Sequence, residues 1–217
     1  MAIKSKTEAC NMALARIGAM RINSYESDQS EEAIACRLHF DHVNETLLRR
    51  HQWNFATGRA DLTKLATPPD SEWAAAWQLP NDYVRLIRIV GGDVHNPVRS
   101  YAIEGRHLLT RGGGVAQIVY VTSATPVPYW DSLFVDALVL KLAAAINGNI
   151  IRNPEIAAAC LKELEALALP AAQTADAREV LSGENFGPRE MASKSQLVAS
   201  RFRGSGGYMP RPSPPGA

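Results

Sequence analysis

The run Arg49-Arg50-His51-Gln52-Trp53-Asn54-Phe55-Ala56-Thr57-Gly58-Arg59-Ala60, followed after a Pro/Asp-rich connection by Trp77-Gln78-Leu79-Pro80-Asn81-Asp82-Tyr83-Val84-Arg85, decides the fold of this chain. Before it the apolar residues keep helical time. Cys36, Phe40, Val43 and Leu47 step by four, three and four, and Ile34 with Leu38 widens that stripe into an expected core face. Beyond it the pattern becomes that of strands: Tyr83-Val84-Arg85-Leu86-Ile87-Arg88-Ile89-Val90 mixes alternating and continuous apolar character, as a strand buried on at least one face does. The run itself is the hinge between the two. Arg49, Arg50 and His51 suit the negative end of the preceding helix. Arginine stems can also cover Trp53, Phe55, Trp73 and Trp77 where a helix packs on a sheet. The rival use of the same residues, including Arg59, is stacking of single-stranded bases.

Working outward, a first helix is expected from near Ser5, with Glu8 as a capping-box partner and Gly18 as the stop. The second begins near Ser30, with Glu31 and Glu32 favouring its N-terminal dipole. In the strand-rich region, Gly91-Gly92-Asp93, His95-Asn96-Pro97 and Arg111-Gly112-Gly113-Gly114 are turn chemistry, and Glu104-Gly105-Arg106 reads as a tight hairpin. A third helix is expected over 129–147, ending at Gly148. A fourth starts with Asn153 as N-cap and Pro154 at the first helical position, carries Ile156, Cys160, Leu164 and Leu167 as its stripe, runs through or kinks at Pro170, and closes at Gly183. The class is therefore α+β: a helical bundle with an inserted small antiparallel β-sheet and an extended C-terminal tail. Its parts are the N-terminal bundle helices (1–53), the β-rich insertion (54–126), the C-terminal bundle helices (127–183) and the tail (184–217).

The tail holds five prolines and five glycines in 34 positions, with five Lys/Arg against two Asp/Glu. Such a segment cannot bury enough apolar surface to fold alone. It is either a disordered tail or a strap that orders on a partner. In the second case Phe186, Phe202 and Tyr208 are its anchors, and Arg201, Arg203 and Arg211 seek acidic groups on a neighbouring subunit or another protein.

At 217 residues, 46% hydrophobic and 21% charged, the chain is long enough to bury a sizeable core, and a net charge of +1 argues against holding nucleic acid mainly by phosphate neutralisation. Cys10, Cys36 and Cys160 lie far apart inside apolar helical patterns, so reduced core thiols are expected rather than disulfides or zinc ligands. No apolar segment follows the N-terminus as in a secretory signal, and no run approaches the ~18 residues that would span a membrane, so a soluble protein of a reducing cytoplasm is expected.

Chemistry is sparse. His39 and His42 share a helix side but lack a third ligand, Asp131 and Asp136 share no face, and the cysteines have no companion histidine. There is no nucleophile elbow and no phosphate loop. The expectation is a protein without metal, cofactor or catalytic residues. An enzyme using His39, His42 or Cys36 and a nucleic-acid-binding packaging or accessory module are the rivals.

Four motifs in order carry a resemblance over roughly 7–165. They are Ala9-Cys10-Asn11-Met12-Ala13-Leu14-Ala15-Arg16-Ile17-Gly18; Ser30 with Glu31 or Glu32, Ala33 or Ala35, and Cys36; Trp53-Asn54-Phe55-Ala56-x-x-Arg59-Ala60; and Leu79-Pro80-x-Asp82. In this order and spacing the chain resembles the phage head-to-tail adaptors, the tail tubular protein A family of short-tailed phages. It departs from them at Gln52, where the family typically has Pro, and its tail matches only in being extended. The resemblance implies a virion protein made in the host cytoplasm: a ring of identical subunits, twelve in the relatives, between portal protein and tail nozzle protein. Double-stranded DNA passes through such a ring without specific binding, and tail fibres are seated nearby. A closed ring requires heterologous contacts, for which the apolar faces of the third and fourth helices were the expected supply.

Overall fold

Ser5 opens helix α1 (Lys6–Ile17): its hydroxyl accepts from the Glu8 amide at 3.2 Å, and Gly18, at φ 73°, closes the helix in the left-handed conformation. The reciprocal bond of a capping box is displaced by one residue, since the Glu8 carboxylate accepts from the Lys4 amide at 2.8 Å. Ser30 caps helix α2 (Glu31–Leu48) in the same way, accepting from Ala33. A single 3-10 turn (Asn54–Ala56) then leads into the strands. The computed structural model describes residues 3–66, 72–90, 101–111 and 117–183. The turns expected at Gly91-Gly92-Asp93, His95-Asn96-Pro97 and Gly112-Gly113-Gly114 lie outside the described residues. So do Phe186, Arg201, Phe202, Arg203, Tyr208 and Arg211.

The chain divides into two units, Met1–Ala177 and Arg178–Ala217. Among its described residues the second holds only the C-terminal end of a helix that reaches Gly183.

Within the first unit the insertion forms two antiparallel sheets, not the single one expected. Strands β1 (Thr57–Asp61), β7 (Gln117–Thr122) and β4 (Tyr83–Val90) make a three-stranded sheet in the order β1-β7-β4. Strands β2 (Thr63–Lys64), β3 (Ala75–Gln78), β6 (His107–Thr110) and β5 (Tyr101–Glu104) make a four-stranded sheet in the order β2-β3-β6-β5. Both contribute to one apolar core: Leu62, Ala75, Trp77, Leu79 and Leu108 from the second and its connections, Ile118 and Tyr120 from the first. The expected tight hairpin joins β5 to β6, with Glu104 opposite His107 and Gly105 at φ 57°, the positive φ that a two-residue turn asks of its first central residue. Asp82 ends the Leu-Pro-x-Asp turn by accepting from Thr122 Oγ1 and, at 3.1 Å, from Tyr120 Oη. Burial, with Asp82 adding to it, pushes the Tyr120 phenol up to about 12.

Helix α3 (Ser132–Ile150) is the centre of the bundle and packs against α1, α2 and α4 (Pro154–Glu163). It starts at an Asp131 cap, three residues later than expected, because a 3-10 turn occupies Val127–Tyr129. It runs through Gly148, where a Cβ would meet nothing within 4 Å, and ends where Arg152 takes φ 57°. Its length and mean hydropathy of 1.5 would suffice to cross a membrane, which corrects the expectation that no segment does. The cause is its position: a helix with neighbours on several sides is apolar nearly all round. For the same reason its apolar faces are core rather than spare surface, with Phe134, Leu138, Leu142 and Ile146 fully buried.

Cys10, Cys36 and Cys160 are buried and unpaired, as expected. Ile34 and Leu38, expected in the core, are 51% and 66% exposed. Ile34 is two residues from Cys36, which turns it about 200° round the helix from the buried stripe. On the fourth helix Cys160 and Leu164 are buried, whereas Leu167 is 67% exposed.

Candidate interaction surface

Just past the end of α2, the run that begins at Arg49 resolves into contacts. Arg49 is the C-cap of α2, and the side chains of Arg49, Arg50 and His51 each reach a partner outside the helix. Arg49 donates to the Val84 carbonyl on β4 at 2.9 Å. Arg50 forms a two-pronged pair with Glu165, at 2.5 and 2.8 Å. His51 Nε2 meets Asp176 Oδ2 at 3.0 Å. Three consecutive side chains thus tie α2 to a strand, to the fourth helix and to its continuation α5 (Leu169–Gly183). The Arg50 guanidinium holds the Glu165 carboxyl below its ordinary range.

Pro170 explains how Glu165 and Asp176 are presented. A proline inside a helix lacks an N–H and its ring clashes with the carbonyl four residues back. The helix answers by widening: Leu164–Ala168 is a π-helical turn, closed by the Leu169 amide on the Leu164 carbonyl. The chain therefore passes Pro170 without breaking. Six residues on, Asp176, 6% exposed, accepts the Asn54 amide on Oδ1 at 2.8 Å while its own carbonyl accepts Asn54 Nδ2 at 2.8 Å.

Between these ties sits Trp53, fully buried, its indole N–H on the Leu47 carbonyl at 3.1 Å. Its ring lies 5.0 Å from Phe134 and 4.9 Å from His51. The four aromatic residues read as one cluster are in fact separated. Trp53 and Phe55 belong to the helical core, Trp77 to the core between the sheets, and Trp73 stacks under Arg111 at 5.4 Å. Arg59 covers none of them; it stands on an exposed face of β1.

The outside of α2 carries exposed apolar side chains. Ile34 and Leu38, one turn apart, stand beside the half-buried Ile150 at the end of α3. Glu31, Ala35, Asn149 and Arg152 complete a shallow cleft of about 290 Å³. His39 borders it, Nε2 to Asn149 Oδ1 at 3.1 Å, so this histidine is engaged with an amide. An apolar centre with a polar rim is the anatomy of a protein contact. Leu161 and Leu167 are further exposed apolar side chains, on the fourth helix. Two open grooves of about 400 Å³ each adjoin Met12 and Ala15 on α1. Among the described residues no three His, Cys, Asp or Glu side chains gather as a metal site would require.

No family model matches the chain, and no curated protein matches it.

No local pattern marks Asp176 as a partner of His51 and Asn54, since 125 and 122 positions separate them. Glu165 was equally silent. The one usable signal was Pro170, whose place inside an apolar helical pattern announced an irregular turn.

Proposed function

We propose that the chain is a structural virion protein: a head-to-tail adaptor, similar to the tail tubular protein A family, that forms a ring between portal protein and tail nozzle protein. It extends the DNA channel and acts by shape, without transforming a substrate. The observation that carries this reading is the use to which the resembling motifs are put. Trp53 and Asn54 lock helix α2 against α3 and α5, and Leu79 and Asp82 lock one sheet connection. Motif residues spent on internal joints belong to a rigid building block. The Ile34, Leu38 and Ile150 surface supports the same reading, because a ring subunit must offer its neighbour an apolar patch that is not its own core. In this proposal that patch contacts a different face of the next copy.

The test is assembly. The purified chain is sized alone and after co-expression with the portal protein of the same virus, and both samples are imaged. Small species alone and an annulus on the portal support the proposal. A chain that never joins the portal removes it.

A further inference from the structure

The face of the three-stranded sheet opposite Ile118 and Tyr120 joins the helical core at Val121, and it carries a charge arrangement that strand periodicity alone would not produce. Arg59 on β1 and Arg88 on β4 both lie opposite Val119 on β7, and Arg85 lies opposite Val121. Residues paired across a sheet share a face, and positions two apart on one strand share it too. Arg59, Arg85 and Arg88 therefore project from the same side, the side away from Ile118 and Tyr120. Arg85 and Arg88 are three apart, so in a regular strand they would point oppositely. The irregularity between Leu86 and Arg88 restores them to one face, and bulges commonly re-aim a side chain in this way.

Arg59 and Arg88 are exposed and Arg85 half-exposed, and among the described residues none of the three forms an ion pair. Arg85 donates to the Arg49 carbonyl at 3.4 Å, which places the exposed Arg49 beside the same face. Among the described residues, carboxylates near this face include Asp61, on the same face of β1 and accepting from Gln117 at 3.1 Å, and Glu45, one turn before Arg49. Neither is paired to an arginine, and among these described residues the balance is positive.

We propose that this face is a binding surface for the phosphate backbone of duplex DNA. Arg59 and Arg88 are two strand spacings apart, roughly 10 Å, on a rigid sheet. Guanidinium groups spread so far do not converge on one small anion; they suit a repeating anionic polymer. An acidic protein partner would want an apolar anchor among the charges. The apolar side chains of β7 on this face, Val119 and Val121, are 3% and 0% exposed, and Val121 lies in the helical core, so neither is an exposed anchor. A single strand would want exposed rings to stack on. Tyr83 and Tyr120 stack on each other at 6.0 Å in the opposite core, so the arginine face has none of them. What remains is sequence-independent contact with a duplex, weak and strongly salt-dependent. The choice of duplex DNA rests in part on the adaptor reading, in which DNA moves past the protein.

The experiment titrates the full-length chain into a fluorescein-labelled 20-base-pair duplex, followed by anisotropy, between 20 and 200 mM NaCl. Three arginines give a log–log salt slope near 3, and the double variant Arg59→Gln/Arg88→Gln brings it down by about 2 and weakens binding several-fold at low salt. A charge-matched control, Lys4→Gln/Lys162→Gln, keeps the original slope. Circular dichroism verifies the fold of each variant. The proposal is overturned if the unaltered chain fails to bind at 20 mM salt, if the arginine variant keeps its slope, or if the lysine control lowers it equally. Tighter binding of poly-glutamate than of duplex at equal charge would assign the face to an acidic protein instead, which also overturns it. The ring is read separately by microscopy, so DNA binding without a ring or a ring without DNA binding tells which inference failed.

Discussion

Replacing Asp176 by alanine is the sharpest probe of how the bundle is held. Asp176 is 6% exposed, and its carboxylate accepts the Asn54 amide and faces His51 Nε2. Alanine keeps the backbone carbonyl and therefore the bond from Asn54 Nδ2. It orphans the Asn54 N–H, and stranding a partly buried donor costs about 1–3 kcal/mol. His51, whose side chain is 24% exposed, can turn to water, so its lost bond adds only about 0.5–1 kcal/mol. The sum is about 1.5–4 kcal/mol. In a chain of this size that lowers Tm by roughly 3–16 °C. Urea unfolding at pH 7, followed by tryptophan fluorescence and circular dichroism, reads the change as a shift in midpoint at constant slope. His51→Ala should lose less than about 1 kcal/mol in the same assay, because it leaves the Asn54 bond intact. The reasoning is refuted if Asp176→Ala loses less than His51→Ala, or if its midpoint is unmoved.

Three further outcomes follow from the same contacts. Trp53→Ala empties a fully buried site and removes an indole bond, for an expected loss of about 3–5 kcal/mol by urea unfolding. Leu38→Glu, at a 66%-exposed position, should change stability by less than about 0.5 kcal/mol yet abolish assembly onto the portal, read by sedimentation. Glu165, lowered by its bond to Arg50, contributes stability that is present above its unfolded pKa and is lost as pH falls through the folded one. Stability measured from pH 7 down to pH 2 should therefore decline less steeply at the acid end in Glu165→Gln than in the unaltered chain.

The helices and strands were largely legible because their signals are local. Ser5, Ser30 and Asn153 announce helix starts by side-chain chemistry, and Gly105 announces the hairpin. Asp131 competes with the Pro126–Tyr129 stretch for the start of α3, and the 3-10 turn there hid the true cap. The burial of α2 was half legible: its a/d-like stripe was right, but Ile34 and Leu38 were added to it although they sit on the far side of the helix. What pattern reading cannot reach is partnership across distance. Arg50 with Glu165 and Asn54 with Asp176 exist only once a π-helical turn carries the chain past Pro170. The shared face of Arg85 and Arg88 exists only once a bulge breaks the period of two.

The central claim is that this chain works as one of many identical blocks around a bore. It is tested most directly by cryo-electron microscopy of the portal vertex in assembled particles with the chain labelled. The account predicts label in a closed ring directly beneath the portal; label distributed elsewhere, or absent from the particle, contradicts it.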